Sequence, residues 1–585
     1  MARLRIALAQ VDLTVGDLDA NAAVVRSWTG RAAEAGAQLV AFPEMTLTGY
    51  PIEDLAFRRS LLDANKRRLD TLAAASGDLP VVVGYLDRDA AGARNAVAVL
   101  HRGEVRARYF KHYLPNYGVF DEARYFAPGD RVVLLDVGGA TVALAICEDL
   151  WQDGGTVAAA GAAGAELVVV VNGSPYERNK DDVRGALVKR RAAESGAVFA
   201  YVNTTGGQDE LVFDGDSMVV APDGTVLARA DRYDDELLVV DVDLPSRPAA
   251  SADGFAGGFA VDRVTLGPVP PFPETPVPQR IATPLSDEAE VYGAIVAGTR
   301  DYVRKNAFTS VVLALSGGID SALVATIAVD ALGASNVHTV AMPSAYSSQG
   351  SLDDAAELAT RQGTRHVVVP IQPMVEAYHE ALKPLGGLSG LSAENLQARV
   401  RGTLLMALSN EHGHLALTTG NKSEVATGFS TLYGDSAGGW APIRDVPKSL
   451  VWALARWRNA EAARRGETPR IPEASITKPP SAELAPGQLD ADRLPPYDVL
   501  DAILDAYVER DVDREELVAQ GFDPAVVDRV IRLVDTAEFK RRQAPPGPKI
   551  TARAFGRDRR LPITNRWVDT PTARGLPETV RPEGS

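Results

Sequence analysis

The 585-residue sequence predicts an α/β protein with two domains. Short β-branched runs alternate with Ala-rich helical segments over residues 4–243, and from residue 286 strands separated by helical lengths predict a doubly wound parallel sheet. A stretch rich in proline, glycine and alanine separates the two regions. We therefore expect a first domain at 1–244, an extended linker with partly polyproline character at 245–285 and a second domain at 286–585.

The composition narrows the class of protein. A net charge of −16 disfavours a general binder of nucleic acid or of anionic membranes, because both partners would repel a negatively charged protein. The single cysteine, Cys147, excludes a disulfide framework and a cysteine-rich zinc site. The N-terminal apolar run is short, alternates like a strand and lacks a cleavage site, and no stretch is typical of a membrane span. We expect a cytoplasmic protein that acts on small molecules, without nucleic-acid or membrane partners.

The first domain is expected to contain strands between Ala-rich helices such as 21–35 and 181–195. The predicted strands are 4–11, 39–42, 81–86, 96–100, 141–146, 167–171, 198–202 and 237–242.

Three reactive side chains lie at the ends of these strands or in adjoining loops, where α/β sites gather. They are Glu44 in Phe-Pro-Glu, Lys111 in Tyr-Phe-Lys-His-Tyr and Cys147 in Ile-Cys-Glu-Asp. A cysteine nucleophile needs a base, which Glu44 can supply, and its tetrahedral intermediate needs a positive donor, which Lys111 can supply. Glu148 and Asp149 would raise the pKa of the thiol, so a lysine is expected nearby, because its positive charge would lower that pKa. Each residue alone has a simpler structural explanation, but together they predict a catalytic set.

This Glu-Lys-Cys set, in its Phe-Pro-Glu and Cys-Glu-Asp contexts, resembles the nitrilase-type carbon–nitrogen hydrolase family over residues 1–243. The resemblance implies an α-β-β-α sandwich that hydrolyses an amide through a thioester. It also implies that the amide substrate, glutamine, is held by Tyr117, Glu148, Ser174 and Lys180.

The second domain opens with an apolar strand at 309–315 that ends in Ser316-Gly-Gly-Ile-Asp-Ser321. Glycines let backbone N–H groups approach an anion, the following helix adds its positive N-terminal end, and the two serines add hydroxyl donors. A carboxylate beside phosphates requires a cation, so Asp320 predicts a bridging Mg²⁺. The run has neither Walker nor G-x-G-x-x-G spacing, and an ordinary capped turn is the alternative.

The loop lies between a predicted helix at 288–305 and further elements. Strands are predicted after it at 337–341, 367–369 and 415–418, with polar clusters between and after them. Asn395 and Arg399 lie four residues apart in a helical stretch and share a face. Glu424, after the last of these strands, is a candidate second Mg²⁺ ligand beside Asp320. Two more clusters follow, a glycine-interrupted loop at 427–435 that suits close ligand approach and a segment at 478–484. Taken singly, each cluster could also be a capped helix start or a plain loop.

The opening loop resembles the pyrophosphate loop of the ATP pyrophosphatase family, and the series of motifs over 286–570 resembles the NAD synthetase family. A basic tail from Phe539 through Arg566 is similar to that of its glutamine-dependent members. The resemblance implies ATP binding by Leu315, Ser316, Gly317, Gly318, Ile319, Asp320, Ser321, Thr419 and Lys448. It places deamido-NAD near Asn395, Arg399, Glu424, Leu432, Tyr433, Asp435 and Lys540.

The two resemblances together imply one ligase reaction. Glutamine, deamido-NAD, ATP and water become NAD, glutamate, AMP and PPi, with Mg²⁺ as cofactor, ATP as co-substrate and ammonia passing between the domains. The resembling synthetases assemble through the second domain, so a homo-oligomer is expected. The alternatives are another glutamine-dependent ATP-pyrophosphatase amidotransferase and a non-catalytic nucleotide sensor with a degenerate amidase.

Overall fold

The computed structural model describes residues 2–246, 255–567 and 569. The chain separates into two compact units, Met1–Ser286 and Asp287–Ser585. Both units have the α/β architecture that the sequence predicts. Among the described residues, no helix combines the length and the apolar character needed to cross a bilayer.

The first unit contains strands β1 to β16 and helices α1 to α6 in its described part. The strands are β1 (Arg3–Gln10), β2 (Leu39–Ala41), β3 (Val81–Asp89), β4 (Gly92–His101), β5 (Glu104–Phe110), β6 (Arg131–Val137), β7 (Ala140–Ile146), β8 (Leu167–Asn172), β9 (Val198–Asn203), β10 (Thr205–Gln208), β11 (Leu211–Asp214), β12 (Met218–Val220), β13 (Val226–Arg229), β14 (Glu236–Asp243), β15 (Phe255–Ala256) and β16 (Phe259–Thr265). The helices are α1 (Leu18–Glu34), α2 (Arg59–Ala74), α3 (Glu122–Tyr125), α4 (Glu148–Trp151), α5 (Gly155–Ala162) and α6 (Lys180–Ser195).

Two large sheets form the inside of this unit, with orders β14-β1-β2-β3-β4-β5 and β13-β12-β9-β8-β7-β6-β16-β15. Successive side chains of β1 point to opposite faces. Ile6 packs with Val133 of β6 in a core between the sheets, whereas Ala7 packs with Trp28 of α1 on the outer face. The second sheet is covered in the same way by α5 and α6, through residues such as Val188. The result is the α-β-β-α sandwich that the sequence predicts.

Part of the predicted linker belongs to the first unit. β16 pairs in parallel with β6, and Ile281 bridges Arg229 of β13. The prediction of an extended connector is therefore wrong over 255–281, because the β-forming run 259–265 completes a sheet. Residues 247–254 of that predicted linker lie outside the described residues, as do 570–585 of the predicted second domain.

The second unit has a parallel four-stranded sheet of order β19-β18-β17-β20. The strands are β17 (Val311–Ala314), β18 (Val337–Ala341), β19 (Arg365–Val368) and β20 (Leu415–Leu417). The helices in the described part are α7 (Asp287–Lys305), α8 (Ile319–Leu332), α9 (Gln349–Gln362), α10 (Gln372–Leu382), α11 (Leu391–His412), α12 (Lys422–Thr427), α13 (Lys448–Arg464), α14 (Glu473–Thr477), α15 (Tyr497–Leu504), α16 (Arg514–Ala519), α17 (Pro524–Thr536) and α18 (Glu538–Arg541).

The strand order reverses at β17, since β18 and β19 lie on one side of it and β20 on the other. Ligands of doubly wound sheets bind at such a point, outside the carboxyl ends of the strands. The loop after β17 and the residues after β20 therefore meet where a nucleotide site is expected.

Candidate active sites

Cys147 lies in the turn between β7 and α4, with φ 40° and ψ −92°. This is a strained conformation for a residue with a side chain, and such strain is typical of functional sites when the surroundings hold it. Here the Cys147 amide donates to the carbonyl of Val171 at 3.0 Å. The side chain is buried, with 4% of the residue exposed.

Lys111 is a buried ammonium between two carboxylates. Its Nζ lies 2.8 Å from Glu44 Oε1 and 2.9 Å from Glu122 Oε2. Burial alone would lower the pKa of Lys111, but the charges of Glu122 and Glu44 raise it well above its ordinary value. The lysine is therefore charged inside the protein and available to stabilise a negative oxygen.

Glu44 is held by two further donors. Asn95 Nδ2 donates to its Oε1 at 2.6 Å, and the amide of Gly173 donates to its Oε2 at 2.8 Å. A Cβ on Gly173 would lie 2.9 Å from Tyr50 Cδ1 and 3.3 Å from Glu44 Oε2, so this close approach requires glycine. The carboxylate of the predicted base is thus fixed in position before substrate arrives.

The thiol of Cys147 is in its neutral form. Burial and the charge of Glu44 raise its pKa well above the ordinary value, and Glu148 and Glu122 act in the same direction. The positive charge of Lys111 lowers this pKa, as the sequence predicts, but burial and the carboxylates together raise it by more. A base must therefore remove the proton as the sulfur attacks.

Glu122 is a member of this site that sequence reasoning missed. It accepts a hydrogen bond from Tyr50 Oη at 2.9 Å in addition to its contact with Lys111. Burial raises the pKa of Glu122 to about 7, and the charge of Glu44, which contacts the same ammonium, acts in the same direction. Its place eleven residues after Lys111 in the same connection is the one available sequence signal.

The residues predicted to hold glutamine form two groups. Tyr117 and Glu148 contact each other, whereas Ser174 and Lys180 lie at the loop that follows β8. Tyr117 Oη donates to Glu148 Oε2 at 2.9 Å, and the charge of Glu148 helps to raise the pKa of Cys147. Ser174 is buried, and its amide donates to Asn203 Oδ1 at 2.9 Å.

Lys180 is the first residue of α6, which follows the loop that contains Ser174. Its Nζ donates to the carbonyl of Pro175 at 3.1 Å and lies 5.9 Å from the centroid of the Trp151 ring. The structure therefore places Lys180 against the loop that follows β8.

In the second unit, a cavity of about 320 Å³ opens at the carboxyl ends of β17, β18 and β20. Most of the predicted ATP-binding residues line it, and so do two predicted deamido-NAD residues. They are Leu315, Ser316, Gly318, Ile319, Asp320, Ser321, Thr419 and Lys448, together with Glu424 and Asp435.

The glycine loop is shaped before any ligand binds. Gly317 has φ +80°, and a Cβ there would lie 2.2 Å from the carbonyl oxygen of Ser351. The Ser316 amide donates to Ser321 Oγ at 3.2 Å, and the Gly318 amide donates to Ser316 Oγ at 3.3 Å. These contacts hold the turn against the N-terminus of α8, as an anion site requires.

Two carboxylates meet beside this loop. Lys448 Nζ donates to Asp320 Oδ2 and lies 3.7 Å from Glu424 Oε1. Burial raises the pKa of Glu424 to about 8, and the charge of Asp320 contributes. Asn421 orders the pair, because its Nδ2 donates to Asp320 Oδ1 at 2.9 Å while its Oδ1 caps the amide of Glu424 at 3.0 Å.

The donor set of this pair fits Mg²⁺. Among the described residues, no group of three or more His, Cys, Asp or Glu side chains could enclose a metal. Two carboxylates with free space beside them are the arrangement that Mg²⁺ uses when water and phosphate complete its shell. Asp320 and Glu424 thus suit an ion that arrives with a nucleotide.

The other predicted deamido-NAD residues lie on or contact the loop 428–435. Thr431 Oγ1 donates to Asn395 Oδ1 at 2.9 Å, and Arg399 Nε donates to the carbonyl of Leu432 at 3.3 Å. Asn395 and Arg399 therefore share a face of α11 and hold one loop, as their spacing predicts.

Lys540 and Tyr433 complete this loop region. Lys540 Nζ donates to the carbonyls of Gly428 and Ser430, each at 2.9 Å. Tyr433 has φ 62° and is 66% exposed. Asp435 accepts from the amide of Thr431 at 2.8 Å, and burial raises the pKa of Asp435 to about 6.

Sequence reasoning missed Arg401, which also lines the cavity. Its Nε donates to the carbonyl of Met342 at 3.0 Å, and burial lowers the pKa of Arg401 to about 10. The available signal was its place two residues after Arg399 in the same helix. Glu483, from the predicted cluster 478–484, lines the cavity too and accepts from Ser351 Oγ at 2.7 Å.

Comparisons with known proteins agree with this geometry. The carbon–nitrogen hydrolase family model matches residues 5–250, and the NAD synthase family model matches residues 291–544. A glutamine-dependent NAD(+) synthetase from Rhodobacter capsulatus is 46% identical over 575 residues, covering 97% of this chain and 99% of the relative. One from Aquifex aeolicus is 42% identical over 574 residues, covering 96% and 100%.

A solved structure is similar over the same length. The glutamine-dependent NAD+ synthetase from Acinetobacter baumannii, in complex with ADP, is 39% identical with a TM-score of 0.73, covering 97% of this chain and 100% of that one. Full-length similarity at these identities, together with both family models, places the chain in an enzyme family. The chain belongs to the glutamine-dependent NAD(+) synthetase family.

Proposed function

We propose that the protein converts deamido-NAD, ATP, glutamine and water to NAD, AMP, PPi and glutamate. The observation that carries this proposal is that one chain holds both a buried Glu44–Lys111–Cys147 set and a phosphate-type loop at 316–321 that opens into a cavity. The first can release ammonia from an amide and the second can activate an acceptor with ATP. The family to which the chain belongs supports this pairing.

The first site hydrolyses glutamine. Glu44 takes the proton of the Cys147 thiol as the sulfur attacks the amide carbon, and Lys111 stabilises the oxygen that becomes negative. The carbon–nitrogen bond then breaks, Glu44 returns the proton to the departing nitrogen, and ammonia leaves a thioester. Glu44 then deprotonates a water that attacks the thioester carbon, the carbon–sulfur bond breaks, and the proton passes to the Cys147 sulfur, which releases glutamate and restores the thiol. Tyr117, Glu148, Ser174 and Lys180 would orient the amino acid.

The second site adenylates the pyridine carboxylate of deamido-NAD. The loop Leu315–Ser321, with Thr419 and Lys448, would hold ATP so that the carboxylate attacks the α-phosphorus and pyrophosphate leaves. Asp320 and Glu424 would hold a Mg²⁺ ion, which supplies positive charge to the polyphosphate when bound. Ammonia then displaces AMP from the adenylate.

The acceptor in this scheme would lie against loop 428–435. Hydrogen bonds of Asn395, Arg399, Lys540 and Asp435, all predicted to lie near deamido-NAD, hold this loop. The loop in turn contributes Asp435 to the cavity. The predicted members are Asn395, Arg399, Glu424, Leu432, Tyr433, Asp435 and Lys540.

The purified protein tests the proposal directly. With deamido-NAD, ATP and Mg²⁺, it should form NAD and AMP in equal amounts with either glutamine or ammonium as donor. AMP formation without NAD, or no product from deamido-NAD with either donor, would contradict it.

We also propose that the protein is a cytoplasmic homo-oligomer. A free catalytic thiol such as Cys147 persists in a reducing compartment. β19 is an edge strand with Val367 and Val368 exposed, and an apolar edge of this kind suits a second copy. Light scattering at the assay concentration should give a multiple of the 62.1 kDa chain mass, and a monomer would contradict the assembly.

A further inference from the structure

Asp149 is a buried carboxylate that the proposed mechanism does not use. It lies two residues after Cys147, in α4, and its side chain is shielded from solvent. Glu44, Glu148 and Glu122 are the carboxylates that raise the pKa of the neighbouring thiol. The carboxylate of Asp149 has another set of partners.

Four hydrogen-bond donors surround this carboxylate. Oδ2 accepts from Tyr109 Oη at 2.6 Å and from the amide of Ile146 at 3.0 Å. Oδ1 accepts from the amides of His112 at 3.1 Å and Tyr113 at 3.0 Å. An ionised aspartate offers about four acceptor positions, so these donors satisfy it completely.

The donors come from both catalytic segments. Ile146 is the last residue of β7 and directly precedes Cys147, whereas His112 and Tyr113 directly follow Lys111. One carboxylate therefore joins the backbone that carries the nucleophile to the backbone that carries the ammonium. Tyr109, on β5, fixes the carboxylate from the side of the sheet.

We infer that Asp149 is a positioning residue for glutamine hydrolysis, which sets the Lys111 loop against the Cys147 turn. This inference rests on the proposed function of the first site. A displacement of about 1 Å in such an arrangement can change the rate about a hundredfold. The effect should fall on the chemical step, because none of the four hydrogen bonds of the Asp149 carboxylate comes from a residue predicted to hold glutamine.

Asp149→Asn is the first test. The new side-chain amide has one acceptor oxygen. Its NH₂ group would therefore face backbone N–H groups that now donate hydrogen bonds to the carboxylate. We expect kcat with glutamine to fall about a hundredfold, with the KM for glutamine within about threefold and activity with ammonium within about twofold of the unmodified protein. The matched control is Asp70→Asn, an exposed acid of α2 in the same unit, and it should change neither activity.

Alkylation of Cys147 separates positioning from folding, because this is the single cysteine of the chain. Lys111 lowers the pKa of the thiol, so a displaced Lys111 should shift the pH profile of iodoacetamide labelling upward by about one unit. A shift downward, toward an ordinary thiol, would mean that Asp149 only keeps the site folded and would overturn the inference. An unshifted profile with kcat within threefold would overturn it too.

Tyr109→Phe provides a second variant if Asp149→Asn does not fold. It removes one of the four donors and leaves the three backbone donors in place, so the same two readouts should move in the same directions by smaller amounts. Unchanged readouts would overturn the inference. Absence of NAD formation from glutamine in the unmodified protein would contradict the proposed function, whereas the labelling profiles would still test Asp149.

Discussion

Lys111 and Lys448 occupy the same arrangement in two different units, a buried ammonium between two carboxylates. Lys111 lies between Glu44 and Glu122, whose side chains are 0% and 4% exposed. Lys448 contacts Asp320 and Glu424, and both of those side chains are 19% exposed at the edge of a cavity. The first site is closed around its own charges, whereas the second leaves room for charges that arrive with the substrate.

This difference matches the chemistry proposed for each site. Thioester formation needs a base and one positive group, and both can be built in permanently. Transfer from ATP needs several positive charges around a leaving polyphosphate, which a protein supplies partly through a metal ion. In the proposed scheme, a lysine between two carboxylates would serve covalent catalysis in the closed site and phosphate chemistry beside the open cavity.

A third lysine shows that the arrangement alone does not define a site. Lys422 Nζ lies 3.0 Å from Asp445 Oδ1 and 2.9 Å from Glu509 Oε1, and it donates to Thr551 Oγ1 and to the carbonyl of Arg553. These acceptors use all the donors of an ammonium. Lys422 thus joins α12 to the C-terminal segment, a structural role.

The largest effect is expected for Lys111→Met, which removes the positive group of the first site. Glutamine-dependent NAD formation should fall by about 10³-fold or more, because the oxyanion loses its main stabilisation. Activity with ammonium should stay within about twofold if the two sites work separately. Lys189→Met, at an exposed position of α6, is the matched control and should leave both activities unchanged.

Asp320→Ala tests the metal role proposed for the second site, which opens into the cavity. Both activities, with glutamine and with ammonium, should fall by about 10²- to 10³-fold, because the nucleotide loses one of the two carboxylates that would hold Mg²⁺. Single-turnover AMP formation measures the loss. A variant that makes NAD at the normal rate would contradict the metal role of Asp320.

Lys422→Met should change stability instead of chemistry. Removing one partner of a buried ion pair costs about 3–5 kcal/mol, since Asp445 and Glu509 would stay buried without their cation. Urea unfolding of the second unit should show this loss. A catalytic role would appear as a fall in kcat per folded molecule of more than about tenfold, which would break the distinction between Lys422 and Lys448.

The smallest effect is a pH dependence of stability from Glu122. The folded pKa of about 7 lies above the ordinary value of 4.5, so the folded protein holds a proton that the unfolded chain releases. The stabilisation is complete below pH 4.5 and is lost as pH rises through 7. Its full size is about 3 kcal/mol.

Glu122→Gln cannot ionise and should lack this dependence. Urea unfolding at pH 5, 6, 7 and 8, followed by trapping of exposed Cys147, gives the difference in unfolding free energy between variant and unmodified protein. A difference that does not change with pH would contradict the raised pKa of Glu122.

Much of the fold follows from local sequence. Buried β-branched runs predicted β1, β7, β8 and β17 within a few residues. The sequence prediction missed β5 and β6, and also β10 to β13, β15 and β16. β5 alternates charged and apolar residues and is defined as a strand by its pairing with β4, and β16 by its pairing with β6. Strand pairing between distant segments supplies the missing information.

The site residues also divide into those that local sequence predicted and those that it did not. Glu44, Lys111, Cys147 and Asp320 could be predicted because their chemistry requires particular residue types beside strands. Glu122, Asn95, Arg401 and Asp149 could not, because their roles depend on contacts made across the fold.

Lysine usage illustrates the limit. Only 11 of the 61 lysine and arginine residues are lysine, which suggests that each lysine in a motif is chemically required. In the structure Lys448 faces the cavity, whereas Lys422 and Lys540 hold backbone segments together. The partners of each lysine and its place relative to the cavity, not lysine abundance, separate the two roles.

The most direct test of two separate sites in one chain is Cys147→Ala, assayed for NAD with each donor. The account predicts no detectable NAD from glutamine and an ammonium-dependent rate within about twofold of the unmodified protein, because the alanine removes only the nucleophile. Equal loss with both donors, or glutamine-dependent activity that survives the substitution, would contradict it.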